Sequence, residues 1–217
     1  MVKMEYGYDY YEGNGSNYSV LGGYSSLRMG FCRFFIYRKA LSIIKKYKSC
    51  GRLLDVGCAY GFWAGFLNKN GFDVVGCDVS SFAIKRAKNL FPDIDFLEMD
   101  IEKPTSFADR EFDAITAFDV IEHCKNLGFV LQEIKRILKD DGVLLVIIPD
   151  KDLFPKEKDS DKTHIWHMDF SGWRDVFCRN GLKIIDSWIY PNYLRIVNSM
   201  WCVRFVLLEK GFSISNP

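Results

Sequence analysis

Residues Leu53 to Asp78 read LLDVGCAYGFWAGFLNKNGFDVVGCD, and this stretch decides the fold. An apolar strand runs into a turn of small residues, a helix follows, and a second strand ends on an acid. Gly57 can adopt backbone angles that a side chain forbids. The helix that begins near Tyr60 leaves its first amides unpaired and directed at the turn. A carboxylate at Asp78 can accept ribose hydroxyl hydrogens, so the stretch predicts a site for an adenosine-containing ligand.

The turn departs from the pattern of a dinucleotide site. That pattern is G-x-G-x-x-G, and its third glycine permits tight helix packing beside a pyrophosphate. Here Ala59 and Phe62 occupy the second and third glycine positions. Asp55, which precedes the turn, would repel a pyrophosphate but suits a ligand with a cationic amino acid end. A nicotinamide-dependent oxidoreductase therefore stays open only as an alternative.

These residues resemble the class I S-adenosylmethionine-dependent methyltransferases. The first motif of that family is L-x-D-x-G-x-G-x-G, and residues 53–61 match it with Ala59 in place of the middle glycine. Segments 96–101, 112–123 and 138–149 resemble the family's later motifs, in the same order. The resemblance implies a Rossmann-like, doubly wound α/β fold. Its seven-stranded sheet would be mostly parallel, with the last strand antiparallel.

The resemblance also implies the cofactor, S-adenosylmethionine, and a set of residues that bind it. Asp78 would bind the ribose, and Asp100 inherits the position that faces the adenine amino group. The full predicted set is Asp55, Gly57, Cys58, Ala59, Gly61, Asp78, Val79, Asp100, Ile101 and Phe118.

Periodicity predicts where the remaining elements lie. The predicted helices cover 34–47, 61–69, 80–90 and 127–139, and a later helix is capped by Ser171 and ends at Gly181. Ser80 or Ser81 can cap the third of these helices. The predicted strands cover 52–57, 73–78, 94–99, 112–118, 142–148, 182–190 and 201–209. Most are apolar runs without alternation, which is typical of a parallel sheet covered on both faces.

Composition favours a single enzyme-sized domain that binds neither nucleic acid nor membrane. The chain has 217 residues, 48% of them hydrophobic, and a net charge of +1. It has neither a basic surplus nor a long apolar run. The N-terminus does not resemble a signal peptide. Seven cysteines without a Cys-x-x-Cys pair indicate neither disulfides nor zinc. We expect a cytoplasmic monomer or homodimer.

Three histidines are candidates for the proton acceptor of a methyl transfer. His123 follows the fourth predicted strand, whereas His164 and His167 flank Trp166 in a segment that leaves the fifth strand at the same edge. A histidine there can take a proton from a hydroxyl or amine, and Trp166 could position the substrate. The alternative is that these histidines are ordinary surface or hinge residues. A metal site from His164, His167, Asp169 and His123 lacks a common zinc spacing, so no metal is predicted.

The N-terminal region is rich in tyrosine and glycine. We divide the chain into residues 1–48, a tyrosine-rich lid and helix within the same unit, and 49–217, the methyltransferase domain. Tyr10 and Tyr11 are expected near substrate and the cofactor's sulfonium, which cation–π attraction would favour. The alternative is a terminus that packs loosely on the domain.

The function that follows is methyl transfer from S-adenosylmethionine to a small-molecule acceptor. The acceptor atom is predicted to be oxygen or nitrogen, and a saccharide or other hydroxylated metabolite is favoured. Asp119 to Glu122 occupy the position where amino-methylating nucleic-acid enzymes carry an Asn-Pro-Pro-Tyr type motif. A protein that binds S-adenosylmethionine without catalysis is a second alternative.

Overall fold

The structure, a computed structural model, describes residues 6–16, 18–19, 22–153, 161–190 and 203–211. Its helices are α1 (Tyr8–Glu12), α2 (Leu27–Ile44), α3 (Phe62–Asn68), α4 (Ser81–Leu90), α5 (Leu127–Ile137) and α6 (Phe170–Arg179). Its strands are β1 (Gly51–Val56), β2 (Phe72–Asp78), β3 (Asp95–Glu98), β4 (Phe112–Phe118), β5 (Leu138–Ile148), β6 (Leu182–Tyr190) and β7 (Val203–Lys210). A short 3-10 helix covers Ile121–His123.

The strands form one sheet in the order β3-β2-β1-β4-β5-β7-β6. Strands β1 to β5 pair in parallel, and β7 is antiparallel to both β5 and β6. This is the predicted doubly wound sheet with an antiparallel last strand. Strand order reverses between β1 and β4, and such a reversal opens a crevice at the carboxyl ends of the strands.

Register places the predicted motifs at this crevice. Val56, the last residue of β1, pairs with Cys77 of β2 on one side and Ala117 of β4 on the other. The turn after β1, the end of β2 and the end of β4 therefore meet at one edge of the sheet.

Both faces of the sheet are covered, so apolar and polar residues do not alternate along its central strands. On one face, Leu54 and Val56 lie in a core with α5 and α6, where Trp173 is fully buried. On the other face, Leu53 lies in a second core with α2, α3 and α4. Burial of apolar area on two faces is the main force that stabilises such a sheet.

Several element boundaries differ from the prediction. Helix α2 begins at Leu27, ahead of predicted residue 34, and its N-cap is Ser26, whose side chain accepts a hydrogen bond from the Met29 amide. Leu27 is 94% exposed and Phe31 52% exposed, so most apolar side chains of the first turns do not follow the pattern of a buried face, although Met29 is buried. The position of residues 201 and 202, predicted as strand, lies outside the described residues.

Two further boundaries differ near the end of the parallel sheet. Residues 138–139, predicted as helix, belong to β5 because Leu138 pairs with Phe112. Helix α6 is capped by Asp169, not Ser171: the Asp169 carboxylate accepts a hydrogen bond from the Gly172 amide at 2.7 Å. Ser80 is the N-cap of α4, as one of the two predicted alternatives.

The N-terminal tyrosines pack on the turn after β1. Tyr11 and Tyr24 lie against Tyr60, with ring centroids 5.0 and 5.1 Å away. The Tyr24 amide also donates to the Tyr11 carbonyl at 2.6 Å. In the described part of the chain, no helix has the length and apolar character needed to cross a membrane.

A polar cluster fastens α5 to the segment after β3. Glu133 Oε1 accepts hydrogen bonds from Arg136 at 2.7 Å and from the Thr105 amide and hydroxyl at 2.8 and 2.7 Å. Mainly because of Arg136, and then of Thr105, the pKa of Glu133 falls to about 2. The ionised carboxylate is therefore favoured in the folded protein.

We expect Glu133→Gln to lower the free energy of unfolding at neutral pH by about 1–3 kcal/mol, since hydrogen bonds to a charged group are lost. The folded pKa lies below the unfolded value of about 4.3, so this contribution is complete above pH ~5 and disappears as pH falls through 4 toward 2. Urea unfolding of both proteins across this range tests it. Glu209→Gln, which removes the exposed pair with Lys183, is the control. An equal effect at acid and neutral pH would contradict the assignment.

Candidate active site

One cavity opens at the carboxyl ends of β1, β2 and β4, where strand order reverses. It encloses about 1280 Å³ of empty space, counting its open mouth. Nine of the residues predicted to bind the cofactor line it: Asp55, Gly57, Cys58, Ala59, Asp78, Val79, Asp100, Ile101 and Phe118. Tyr10, Tyr11 and His123, predicted for substrate binding and catalysis, line the same cavity.

The backbone of the turn after β1 explains its small residues. Gly57 has φ 69°, and a Cβ added there would lie 2.2 Å from Cγ2 of Val120. Ala59, at the position of the family's middle glycine, has φ 48°. For a residue with a Cβ, this left-handed conformation costs about 1–2 kcal/mol. The turn thus keeps a glycine-like backbone at Ala59 despite the substitution.

Gly61 is the predicted cofactor residue that does not belong to the cavity lining. It is the N-cap of α3, with φ 76°, and a Cβ there would lie 2.5 Å from Cζ of Phe96. A close approach to Phe96, together with the left-handed conformation, explains the glycine.

Asp78 is held in place by two backbone amides. Its Oδ2 accepts a hydrogen bond from Ala59 N at 2.9 Å and its Oδ1 from Ser80 N at 2.8 Å. Burial raises the pKa of Asp78 to about 6, against the opposing effect of these two amides. Each oxygen retains acceptor capacity, so the fixed carboxylate can bind ribose hydroxyls.

Asp55 presents a buried carboxyl group with one unpaired oxygen to the cavity. Its Oδ1 accepts a hydrogen bond from the Thr116 hydroxyl at 2.9 Å, whereas its buried Oδ2 has no hydrogen-bond partner among the described residues. Burial raises the pKa of Asp55 to about 8. An unpaired buried carboxylate oxygen favours a cationic ligand group. The site therefore fits a ligand with an amino acid end and a ribose.

Several cavity residues were missed by sequence reasoning. They include Arg33, Met99 and Glu102. Arg33 is 8% exposed, lies over the rings of Tyr24 and Phe62 at 4.7 and 4.3 Å, and donates to the Tyr24 carbonyl. Arg33 lies on α2 just before residue 34, where the predicted helix starts, so the periodicity of the sequence did not place it on a helix.

Polar and aromatic side chains form a further part of the cavity lining. They include Tyr6, Tyr10, Tyr18, Asp119 and His123. Asp119 has φ 53°, and its amide donates to the Ile147 carbonyl at 3.1 Å. Left-handed backbone in a residue with a side chain clusters at functional sites. Burial raises the pKa of Tyr10 well above its usual range, so its hydroxyl stays protonated.

The three predicted catalytic histidines form one row of rings. The His123 and His164 centroids lie 4.7 Å apart, and those of His164 and His167 lie 6.2 Å apart. Among the described residues, His123 lines the cavity whereas His164, His167 and Trp166 do not. The Trp166 indole donates to the Cys124 carbonyl at 2.7 Å. Of the predicted base candidates, His123 is therefore the one that faces the cavity.

Behind His123 lies a buried carboxylate. Glu122 is fully buried, and neither of its oxygens has a hydrogen-bond partner in the described part of the chain. His164 Nε2 lies 3.9 Å from Glu122 Oε1. Burial and the charge of Asp119 raise the pKa of Glu122, and His164 opposes the shift.

The structure does not assemble the metal set that the sequence offered as an alternative. Asp169, a member of that set, caps α6 and pairs with Lys151 at 3.4 Å. Glu122, His123 and His164 instead have ligand atoms within 4.8 Å of one another. That a metal is not required stays a prediction.

Comparison with known proteins identifies the family. A family model described as a methyltransferase domain matches residues 54–146. The chain is 30% identical over 164 residues to an uncharacterized protein of Methanocaldococcus jannaschii, covering 76% of this chain and 70% of that one. It is 33% identical to a ubiquinone biosynthesis O-methyltransferase of Bradyrhizobium diazoefficiens, over 55% of this chain and 49% of that one. The match to that second relative thus spans about half of its length.

Solved structures agree on the fold. A methyltransferase in complex with the Trm112 methyltransferase activator, from Haloferax volcanii, superposes with a TM-score of 0.71 at 15% identity, covering 85% of this chain and 92% of that one. An S-adenosylmethionine-dependent methyltransferase of Methanosarcina mazei gives 0.65 at 18% identity, covering 78% and 97%. The chain belongs to the class I S-adenosylmethionine-dependent methyltransferases, and its cofactor is S-adenosylmethionine.

Asp78→Ala should weaken binding of S-adenosylhomocysteine by roughly 1.5–3 kcal/mol for each ribose hydrogen bond lost to the charged carboxylate, before compensation. Isothermal titration calorimetry measures the effect. Asp73→Ala, an exposed acid on the same strand, is the control and should leave affinity unchanged. Unchanged affinity in Asp78→Ala would refute a ribose role.

We expect binding of S-adenosylhomocysteine to release a proton from Asp55. With a folded pKa of about 8, this carboxyl is largely protonated at pH 6–7, and a cationic amino group favours its ionised form. Affinity should thus rise with pH toward 8 and then level off. Titrations in buffers of different ionisation heat count the protons. Asp55→Asn should lose this release and bind more weakly at pH 8, and a pH profile identical to that of the wild type would contradict the role.

Proposed function

We propose that the protein transfers the methyl group of S-adenosylmethionine to a small hydroxylated acceptor, such as a saccharide. The observation that carries this proposal is that one cavity is lined both by the acids suited to the cofactor and by polar and aromatic side chains that include His123. Tyrosine hydroxyls and an imidazole there can bind and orient a hydroxylated molecule. Nitrogen is the second acceptor atom we consider.

In methyl transfer the main task of the protein is to align the acceptor with the methyl group, since the methyl group needs no further activation. Bound S-adenosylmethionine supplies a methyl group that its sulfonium already makes electrophilic. In this proposal Asp55 and Asp78 fix the two ends of the cofactor, and Tyr10, Tyr11 and Tyr18 close the cavity against water. Holding the acceptor oxygen in line with the methyl group would supply most of the rate.

A hydroxyl acceptor must also lose its proton. His123 is the candidate base, because it lines the cavity and imidazole can accept a proton near neutral pH. General base catalysis contributes typically about 10²–10⁴-fold. Relatives named as O-methyltransferases at 33% and 30% identity support oxygen as the acceptor atom.

A small molecule is favoured over nucleic acid as the acceptor. The net charge of +1 gives no basic surplus for a phosphate backbone. The described cavity carries several acidic side chains, including Asp78, Asp100 and Glu102, against the cation Arg33. Such a lining would repel a polyanion.

The proposal is tested by a panel of sugars, catechols, alcohols and amines, with release of S-adenosylhomocysteine as the readout. We expect turnover with a hydroxylated member, and His123→Asn should lower kcat by about 10²-fold or more with little change in cofactor affinity. The same substitution at His164 and His167 locates the base. The largest loss at either of these would contradict His123 as the base.

Two outcomes would overturn the proposal as a whole. Cofactor binding without turnover across the panel would favour a non-catalytic binding protein. Tight binding of NAD without binding of S-adenosylmethionine would favour the oxidoreductase alternative.

A further inference from the structure

A chain of hydrogen bonds runs away from the cavity behind His123. The ring nitrogen Nδ1 of His123 lies 2.7 Å from the Thr163 hydroxyl, and that hydroxyl lies 2.5 Å from Oδ1 of Asp161. The Thr163 amide donates to the same oxygen at 2.9 Å. Asp161 and Thr163 are 6% and 7% exposed, so water competes little for these bonds.

The number of hydrogens limits the directions that these bonds can take. The Thr163 hydroxyl has one hydrogen, and an ionised carboxylate can only accept. When Thr163 donates to Asp161, it can only accept from His123, and this arrangement requires the hydrogen on Nδ1 of the imidazole. In a neutral imidazole the other nitrogen, Nε2, is then the acceptor.

We propose that Asp161 and Thr163 are positioning residues that hold His123 as its Nδ1–H tautomer, so that Nε2 receives the proton of the acceptor hydroxyl. This proposal rests on the proposed function, which makes His123 the base. Neither Asp161 nor Thr163 touches the reacting atoms in it; both act through the imidazole ring.

The proposed step balances. A bond forms between the acceptor oxygen and the methyl carbon, and the bond between that carbon and sulfur breaks with its electron pair retained on sulfur. The acceptor proton moves to Nε2 of His123. The products are the methyl ether, S-adenosylhomocysteine and an imidazolium whose Nδ1–H stays linked through Thr163 to the Asp161 carboxylate, which stabilises the new charge.

The N-terminal region takes part in the same network. Tyr10, on α1, donates its hydroxyl to Asp161 Oδ2 at 3.2 Å. Tyr6 is hydrogen-bonded to Thr163, and its ring contacts His123 with centroids 6.2 Å apart. His164 Nε2 lies 4.0 Å from Asp161 Oδ2. The carboxylate that orients the base thus also anchors the tyrosine-rich segment.

The tautomer can be measured without knowing the acceptor. The chain contains only three histidines, so ¹⁵N-histidine labelling gives few ring signals, and His123→Asn identifies those of His123. About two pH units above the ordinary histidine pKa of ~6.5, the neutral ring is observed. We expect a protonated Nδ1 and an unprotonated Nε2 in the wild-type protein. Protonated Nε2 there would overturn the proposal.

Two matched variants distinguish the effect of losing the Thr163 hydroxyl from the effect of disturbing the fold. Thr163→Val keeps the shape but removes the hydroxyl, so the His123 signals should shift toward the Nε2–H form. Thr163→Ser keeps the hydroxyl and should retain the wild-type signals. Urea unfolding verifies that both variants are folded. Unchanged signals in a folded Thr163→Val protein would overturn the proposal.

The same variants are also assayed for methyl transfer, with an acceptor from the panel that the wild-type protein methylates. Thr163→Val and Asp161→Asn should lower kcat about tenfold or more, with KM and cofactor affinity nearly unchanged, and Thr163→Ser should restore most of the loss. A loss confined to KM would overturn a role in proton transfer.

The ring signals of the histidines do not depend on turnover. The expected tautomer without turnover would therefore count against the proposed function, whereas the wrong tautomer with turnover would count against this inference alone.

Discussion

The carboxylate of Asp78 joins the two turns on which the rest of the site depends. One oxygen binds the amide of Ala59 in the turn after β1, and the other binds the amide of Ser80 at the start of α4. The first bond offsets the left-handed backbone of Ala59, which has φ 48°. A single buried acid at the end of β2 thus fixes both the main chain that approaches the cofactor and the helix that follows. Its oxygens keep lone pairs that can accept hydrogen bonds from ribose hydroxyls.

Buried acidic side chains lie both in the cavity lining, as Asp55 does, and outside it, as Glu122 does. Within the described part of the chain, one buried oxygen of Asp55 and both oxygens of Glu122 have no hydrogen-bond partner. Burial raises the pKa of both groups because a charge removed from water is costly. The same cost makes a cationic ligand favourable at Asp55. S-adenosylmethionine carries an ammonium and a sulfonium group, and a positive charge close to Asp55 lowers the cost of ionising this buried acid.

The features that the sequence predicted well are those set by residues close together in the chain. The turn at Gly57, the acid at Asp78 and the apolar stripe of α5 are set by neighbours in the chain, and their elements were predicted closely. The start of α2 was missed because Leu27 and Phe31 face solvent. The cap of α6 was assigned to Ser171 because Asp169 offers the same chemistry two residues earlier. Local chemistry marked that a helix begins there, but only geometry decided which side chain caps it.

By itself, the sequence determined the class of fold, the cofactor and the residues of the turn, since these follow from close backbone approach, small side chains and an acid at a fixed distance. Tertiary structure alone decided which histidine faces the cavity and what lies behind it. His123, Thr163 and Asp161 are separated by up to 40 positions in the chain, and their hydrogen bonds exist only because the loop after β5 returns to the end of β4. Sequence spacing carries no information about contacts between such segments, because packing of the intervening helix and strand sets their distance.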